Sequence, residues 1–552
     1  MIKNKKSWIN LTGGVVAALC MAAPFSAEAA SSLKTPGVQA DIAKQEEKAD
    51  IAQQDAEQAK SGSEVPFSIG KIKLMSEVIK LKDYSEIISR YENRIVTIKE
   101  LNELAEILTL DLRSDGYPAA LIYVPNQNIV SGGDINLTVM PGRYGKVAIE
   151  NDSNLPQAVA EGYLAGLRQG EVIRGISLES AINKLTRVGG VRASGMLSPG
   201  SEVGTTDLTI KLEKGKPASE IVYAENYGTT TAGRYHYGLQ GDVQLPETTG
   251  TFNYALVFSN GGQHNYNFGY MQDVGRSGTK LGINISRSDY DLGGIYKIIG
   301  ATGNALTLNV NGTTPFFYTW NDSMSLNYGY NYRKLNDEQE TFHIDTKKHS
   351  HSAYIGINGV MRRGKAAVSY NLTDTWGTLG FDNDDARMMY NMSDTEGTFN
   401  KISLNASYLQ TFDKHFDFLA KFSGQLSSKN LDGSEEIVLG GINGVRAYPA
   451  GIGSGDEGYV ANFEFCYHTD IPGLTLSTYF DSGHVKVVHD TDSMSYGGET
   501  AMGWGIGVAY TKPNCYFARI DYARRIGGLS YYKEDAESKA RGRLWFMVGA
   551  MF

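Results

Sequence analysis

From residue 218 to its end, the sequence returns repeatedly to a period of two. Met324, Leu326, Tyr328, Tyr330 and Tyr332 alternate with Ser325, Asn327, Gly329 and Asn331; Phe252, Tyr254, Leu256 and Phe258 repeat the pattern, as do Leu306, Leu308 and Val310. Alternation of this kind puts apolar side chains on one face of a strand and polar ones on the other. In a soluble sandwich the apolar face turns inward. In a membrane barrel it turns outward to lipid, and the polar face lines a wet lumen. The period fits both architectures, and the connections decide between them. Short links lie near Pro246, Arg362–Lys365, Asp413–Lys414, Ile471–Gly473 and Lys512–Asn514; long ones lie near 335–348, 377–397, 429–457, 486–499 and 526–541. From residue 330 onward short and long links alternate, the asymmetry of short periplasmic turns and long outer loops. The expected fold is mainly β: a transmembrane antiparallel β-barrel of about 16 strands over 218–552, preceded by two small α+β domains. An even count returns both barrel ends to one side.

The rest of the chain reads as exported. Lys3, Lys5 and Lys6 precede an apolar stretch from Leu11 to Ala23 and a small-residue site at Ala27-Glu28-Ala29, the layout of a signal peptide over 1–30. The stretch is too short to span a bilayer, and Cys20, preceded by Leu19, sits in a poor context for lipidation. Beyond it there is no run of about 18 apolar residues, so a spanning structure must be a closed barrel. Of 33 tyrosines only Tyr84, Tyr91, Tyr117, Tyr123, Tyr144 and Tyr163 precede residue 217, as if the two parts met different solvents. A net charge of −9 supplies no basic field for nucleic acid. Residues 31–64 are polar and helix-prone, lack an apolar stripe and end in Ser61-Gly62-Ser63; they read as a solvated linker or as a polar helix plugging a water-filled lumen. Cys466 and Cys515 fall on candidate strands that are not sequence neighbours. Two unpaired thiols is the simpler reading, and a disulfide the alternative.

Residues 65–217 divide into two modules of one order, 65–144 and 145–217. The first reads as a strand from Phe67 to Leu74, helices at 84–94 and 98–113 closed by Gly116-Tyr117, and strands at Ala120–Val124 and Ile135–Met140. The second reads as a strand from Lys146 to Glu150, helices near 156–167 and 178–187, and strands near 191–197 and 207–213. An internal repeat in an exported chain suggests adaptor modules.

Two motifs stand out in the barrel region. The first is Gly440-Gly441-Ile442-Asn443-Gly444-Val445-Arg446-Ala447-Tyr448, and the second Tyr479-Phe480-Asp481-Ser482-Gly483. On the strand count the first is the sixth outer loop, with strands beginning near 458, 474, 500, 515 and 542 after it. These motifs resemble those of the outer-membrane transporters of two-partner secretion, the hemolysin-activator type. Residues 65–217 resemble the paired POTRA domains of the same family, through Gly116-Tyr117, Pro125-Asn126-Gln127, Gly133, Gly142, Leu178-Glu179, Leu185, Gly189-Gly190, Leu197-Ser198-Pro199-Gly200, Gly204 and Asp207-Leu208.

The resemblance implies a pore that exports a large unfolded β-helical exoprotein, an adhesin or hemolysin, across the outer membrane without ATP. It implies that the loop of Val445, Arg446, Ala447 and Tyr448 folds into the lumen. There Arg446 would pair with Asp481 of the barrel-wall motif that also holds Phe480 and Gly483; a guanidinium grips a carboxylate with two bonds, which lysine cannot do. Ala447 stands where the family carries Gly, and a positive φ there would strain it by about 1 kcal/mol. The final strand, Arg543 to Phe552, with Trp545 and its terminal aromatic, resembles the signal read by barrel-assembly machinery. Partners are thus the exoprotein, outer-membrane lipid and that machinery.

No cofactor is implied and no enzyme motif occurs. His343, His349 and His351 fall short of a zinc set, and Asp382, Asp384 and Asp385 read as a solvated acidic stretch. The alternatives are a barrel-assembly or insertion factor, which usually carries three or five adaptor modules, and a plain porin, which needs none. A contact-dependent inhibition toxin transporter is a subtype of the favoured reading.

Overall fold

The computed structural model of the protein describes residues 65–552 apart from 77, 189, 391–393, 491–496 and 530–539. The expected signal peptide and the polar segment at 31–64 lie outside the described residues. The chain forms two compact units, divided between Gly215 and Lys216.

The α+β unit holds two modules built on one plan. In the first, β1 (Phe67–Met75), α1 (Ser85–Ile88), β2 (Ile95–Val96), α2 (Ile98–Ser114), β3 (Leu121–Tyr123) and β4 (Gly133–Met140) assemble a sheet of order β2-β1-β4-β3. In the second, β5 (Arg143–Asn151), α3 (Gln157–Leu164), α4 (Gly175–Thr186), β6 (Val191–Pro199) and β7 (Thr205–Lys214) assemble the order β5-β7-β6. In both, the first strand runs parallel to the last, and the strand before the last pairs antiparallel with it. The repeat reaches the side chains. β1 bulges between Ile69 and Ile72, and β5 between Tyr144 and Val147. A glycine sits in each bulge, and a carboxylate of the facing strand accepts the next backbone N–H: Lys71 N donates to Asp134 (3.0 Å) and Lys146 N to Asp207 (2.6 Å). A Cβ on Gly70 or Gly145 would lie 2.9 or 2.2 Å from that carboxylate oxygen, so a side chain there would displace it.

Each module buries its own apolar cluster. Leu101, Leu104, Ala105, Leu108 and Leu112 form the buried stripe of α2, at the spacing of one helix face. Thr97 starts that helix with a reciprocal cap: its Oγ1 accepts Glu100 N–H (3.2 Å), and Glu100 Oε2 accepts Thr97 N–H (2.8 Å). The helix expected over 84–94 shrinks to α1. Asn93, at a left-handed φ of 52°, donates its N–H to Gly70 O (2.9 Å) and turns the chain back along β1.

The barrel unit closes sixteen antiparallel strands among the described residues. They are β8 (Ala218–Glu225), β9 (His236–Gln244), β10 (Thr251–Ser259), β11 (His264–Val274), β12 (Thr279–Asp291), β13 (Ala301–Tyr318), β14 (Asp322–Gln339), β15 (Ile344–Arg363), β16 (Ala366–Phe381), β17 (Gly397–Thr411) and β18 (Phe416–Ser427). A loop with two short strands, β19 (Ile437–Val438) and β20 (Ser454–Gly455), separates these from β21 (Glu457–His468), β22 (Leu474–Lys486), β23 (Gly498–Lys512), β24 (Tyr516–Ile526) and β25 (Gly542–Met551). The ring closes where β25 pairs with β8, from Met547↔Glu225 to Met551↔Ile221.

Burial decides which way the alternation points. On β12, Leu281, Ile283 and Ile285 face outward, Ile283 at 50% exposure, while Asn284 between them is 8% exposed. Inward-facing Asn267 and Asn284 exchange side-chain hydrogen bonds (3.2 and 3.0 Å), and Asn309 donates to Asn331 (2.7 Å). A sheet with apolar groups outside and amides inside is built for lipid.

Two of the expected long links are partly strand. β14 and β15 pair out to Gln339↔Ile344, and β16 runs to Phe381 before a short helix α5 (Asp384–Tyr390). Beyond the lipid no face of the hairpin must be apolar, so alternation stops while backbone pairing continues. Cys515 lies in the turn before β24, not on a strand, and both Cys466 and Cys515 are free thiols.

Candidate functional site

The connection between β18 and β21, residues 428–456, is the loop between the eleventh and twelfth barrel strands. It folds on itself before it touches the wall. β19 pairs with β20, and inside that pair Leu439 N donates to Gly453 O (2.5 Å), Gly440 N to Ile452 O (2.9 Å), Val445 N to Leu439 O (2.8 Å) and Tyr448 N to Val445 O (3.0 Å). The resulting knot carries an apolar side of Leu439, Val445, Ala447, Tyr448 and Ile452. These pack with Val460, Tyr479, Val485, Ala501 and Ala523 of the strands. Burying this surface fixes the knot to the inside of the wall.

Arg446 lies at its centre, 5% exposed, and Asp481 is wholly buried. The guanidinium grips Asp481 with two bonds, Nε to Oδ2 (2.9 Å) and Nη2 to Oδ1 (2.8 Å), while the Arg446 backbone N–H adds a third to Oδ2 (3.1 Å). Nη1 donates to Glu464 Oε2 (2.8 Å), and Cζ stands 3.3 Å from the centre of the Tyr479 ring. Trp545 Nε1 donates to Arg446 O (2.7 Å), and Asn462 Nδ2 donates both to Gly444 O (2.9 Å) and to Asp481 Oδ1 (2.8 Å). Arg519 completes the network through Glu464 (2.8 Å) and Asp521 (2.7 Å). Arg446, Arg519 and the nearby Lys421 thus balance Asp481, Glu464 and Asp521. Buried ions persist when they are paired and hydrogen-bonded in this way.

The strand period explains why these residues converge. Asn462 and Glu464, Tyr479, Asp481 and Gly483, and Arg519 and Asp521 are each two apart on β21, β22 and β24, so each set shares the lumen face. Phe480 takes the opposite face and is exposed on the outside of the barrel. Gly483 leaves space that the knot fills, since a Cβ there would lie 2.6 Å from Leu439 Cδ1. Ala447 is not among the described non-glycine residues at positive φ, which are Asn93, Glu247, His343, Asp394 and Asn514, so the expected strain does not arise. Gly503 on β23 makes room for the Ala447 methyl; a Cβ on Gly503 would stand 2.5 Å from it. Phe552 is far from the knot in role: its backbone exchanges hydrogen bonds with Glu220 at the seam (2.9 and 3.4 Å).

Glu464, Arg519, Asp521 and Asn462 belong to the site and were not singled out in the sequence; Trp545, noted there only as part of the final strand, belongs to it too. A signal was present, a carboxylate between Phe463 and Phe465 and an Arg-x-Asp pair around Ile520, but only strand register shows which lumen charges meet the loop. His349 bonds Asp382 (2.5 Å) and His351 bonds Tyr330 (2.5 Å); among the described residues no three His, Cys, Asp or Glu side chains cluster as a metal site.

Comparison with known proteins fits this geometry. Residues 204–510 match the family described as haemolysin secretion/activation protein ShlB/FhaC/HecB, and residues 67–142 match the POTRA domain, ShlB-type. The heme/hemopexin transporter protein HuxB of Haemophilus influenzae (strain 86-028NP) is 24% identical over 84% of both chains. The outer membrane transporter CdiB of Dickeya dadantii is 23% identical over 79% of this chain and 78% of its own. Among solved structures, CdiB from Escherichia coli superposes with a TM-score of 0.69 at 19% identity, covering 88% of this chain and 91% of that one, a likeness of fold.

Proposed function

The chain belongs to the ShlB/FhaC/HecB haemolysin secretion/activation family, and from that premise we propose that its Arg446 loop closes the pore through which an unfolded exoprotein leaves the cell. The protein is an outer-membrane pore of two-partner secretion, a sixteen-strand barrel with POTRA domains in the periplasm. The observation that carries the proposal is the anchorage of the loop. A buried arginine with five hydrogen bonds to the wall is a closure that has to be held.

The client is a large β-helical exoprotein of adhesin, hemolysin or contact-dependent toxin type. It docks by adding a strand to an exposed sheet edge of the first module, β2 or β3 in the four-stranded sheet, where backbone bonds demand little of its sequence. The periplasm offers no ATP, so the protein supplies a path and the folding of the client outside makes transit irreversible. It performs no chemistry of its own. Residues 1–30 direct export, 31–64 link or plug, 65–144 and 145–217 recognise the client, and 218–552 form the barrel. Outer-membrane lipid surrounds the barrel, and the assembly machinery reads the strand that ends in Phe552.

The test is deletion of residues 65–145. The barrel still inserts and keeps its heat-modifiable gel mobility, while the client's N-terminal region no longer binds. Lack of affinity between a 31–217 fragment and that region would overturn the recognition role.

A further inference from the structure

The same loop carries a second set of charges before it reaches the knot. Asp432 and Glu435 flank Gly433-Ser434. Asp432 Oδ2 accepts from Lys348 Nζ at 2.6 Å, with both side chains nearly buried. Glu435 binds two cations, Arg333 Nη1 at 2.9 Å and Lys401 Nζ at 2.7 Å. Arg333 also donates to Ser434 Oγ (3.1 Å), Lys401 to Glu435 O (3.0 Å), and the Lys348 ammonium lies 4.1 Å from the centre of the Tyr390 ring. The three cations come from three strands, β14, β15 and β17, near the ends that lead into outer loops.

Strand order places the two sets of charges on different walls. Arg333, Lys348 and Lys401 sit on the seventh, eighth and tenth strands of the ring; the partners of Arg446 sit on the twelfth, thirteenth, fifteenth and sixteenth. Arg333 and Asp521 are eight places apart in a ring of sixteen and so face each other. The loop therefore crosses the lumen as a strap fixed at both ends. The fixings differ in kind. The Arg446 end combines ion pairs with a packed apolar knot and with hydrogen bonds through the Arg446 backbone. The Asp432–Glu435 end rests mainly on the tips of lysine and arginine side chains, which can let go without any change in backbone pairing.

We propose that Asp432 and Glu435, with Arg333, Lys348 and Lys401, form the release clasp of the strap, and that the Arg446 knot is its hinge. The pore then widens when the clasp opens, with Arg446 still bound to Asp481. These five residues position the loop and do not contact the client. The proposal rests on the reading of the loop as the pore's closure.

Single-channel conductance in planar bilayers, normalised to the conductivity of the bathing salt, tests both. Asp432→Asn with Glu435→Gln should raise normalised conductance and opening frequency several-fold at low salt. Raising the salt should close the gap only in part, because ion pairs this nearly buried are screened far less than exposed ones. If the double variant matches wild type at low salt while Arg446→Ala does not, the clasp is overturned and the closure reading stands. If neither variant departs from wild type, both are overturned. A variant that inserts poorly is replaced by a lock. Lys401→Cys with Glu435→Cys, in a background of Cys466→Ser and Cys515→Ser, is bridged by a short bis-maleimide. Bridged protein should lose the large openings, and unbridged protein should keep them; large openings that survive bridging sink the proposal.

Discussion

Arg446 and Asp481 are each other's main partner, and neither has another role open to it in so buried a place. Removing one leaves a lone charge, which costs about 3–5 kcal/mol where the pair is fully desolvated. Arg446→Ala and Asp481→Ala should therefore each cut client secretion sharply at unchanged outer-membrane levels. The double variant should be no worse than the poorer single one, because the two act as a unit. Arg446→Lys should rescue little, since the ammonium reproduces neither the fork nor the contact with the Tyr479 ring. Gly483→Val should act from the wall side, by pushing Leu439 out of its seat, and should raise conductance in bilayers without touching a charge. This pair was legible only through the resemblance of its two motifs to those of the transporter family, which implied that Arg446 meets Asp481. Glu464, Arg519 and Asp521 were not, because a charge on a lumen-facing position looks the same whether it meets water or the loop. The tolerance of Ala447 was equally hidden; it depends on the bare backbone of Gly503, more than fifty residues away in sequence.

Among the elements, α2 and the barrel strands were readable from periodicity, and their caps and ends only in part. Thr97 and Glu100 advertise the start of α2, and Thr97→Ala should weaken that end by about 1 kcal/mol, seen as roughly five-fold faster amide exchange in its first turn in the full chain. The helix expected over 84–94 failed for a long-range reason: Asn93 bonds to Gly70, which no local pattern announces. The paired bulges of β1 and β5 show the opposite case. Glycine and aspartate recur as Gly70 with Asp134 and Gly145 with Asp207, and that repeat is written in the sequence, but its meaning lies in a parallel pairing that only the fold supplies. Asp207→Ala should leave the Lys146 N–H without its acceptor and loosen the bulge. Hydrogen exchange at Lys146 should quicken while the strands of the first module are unaffected.

For the molecule as a whole, inversion of the usual polarity carried the architecture. The alternation of residues 218–552 gave the strands, and the observed exposure of Ile283 beside the burial of Asn284 shows which solvent each face meets. The reach of β14 and β15 beyond the lipid is not visible in the sequence because pairing there no longer depends on an apolar face. Ring closure rests on β25. Truncation after Arg541 removes β25, and the product should appear unfolded and protease-sensitive, without the heat-dependent shift on gels that a closed barrel gives.

That closure makes the wall all or nothing. The first strand of the ring finds its last neighbour only in Met547–Met551, and Phe552 adds backbone bonds to Glu220. A ring that loses this one stave does not become a ring with a weaker wall; it becomes an open ribbon with two raw margins. Sixteen hoops of pairing hold or fail together, as the staves of a cask do.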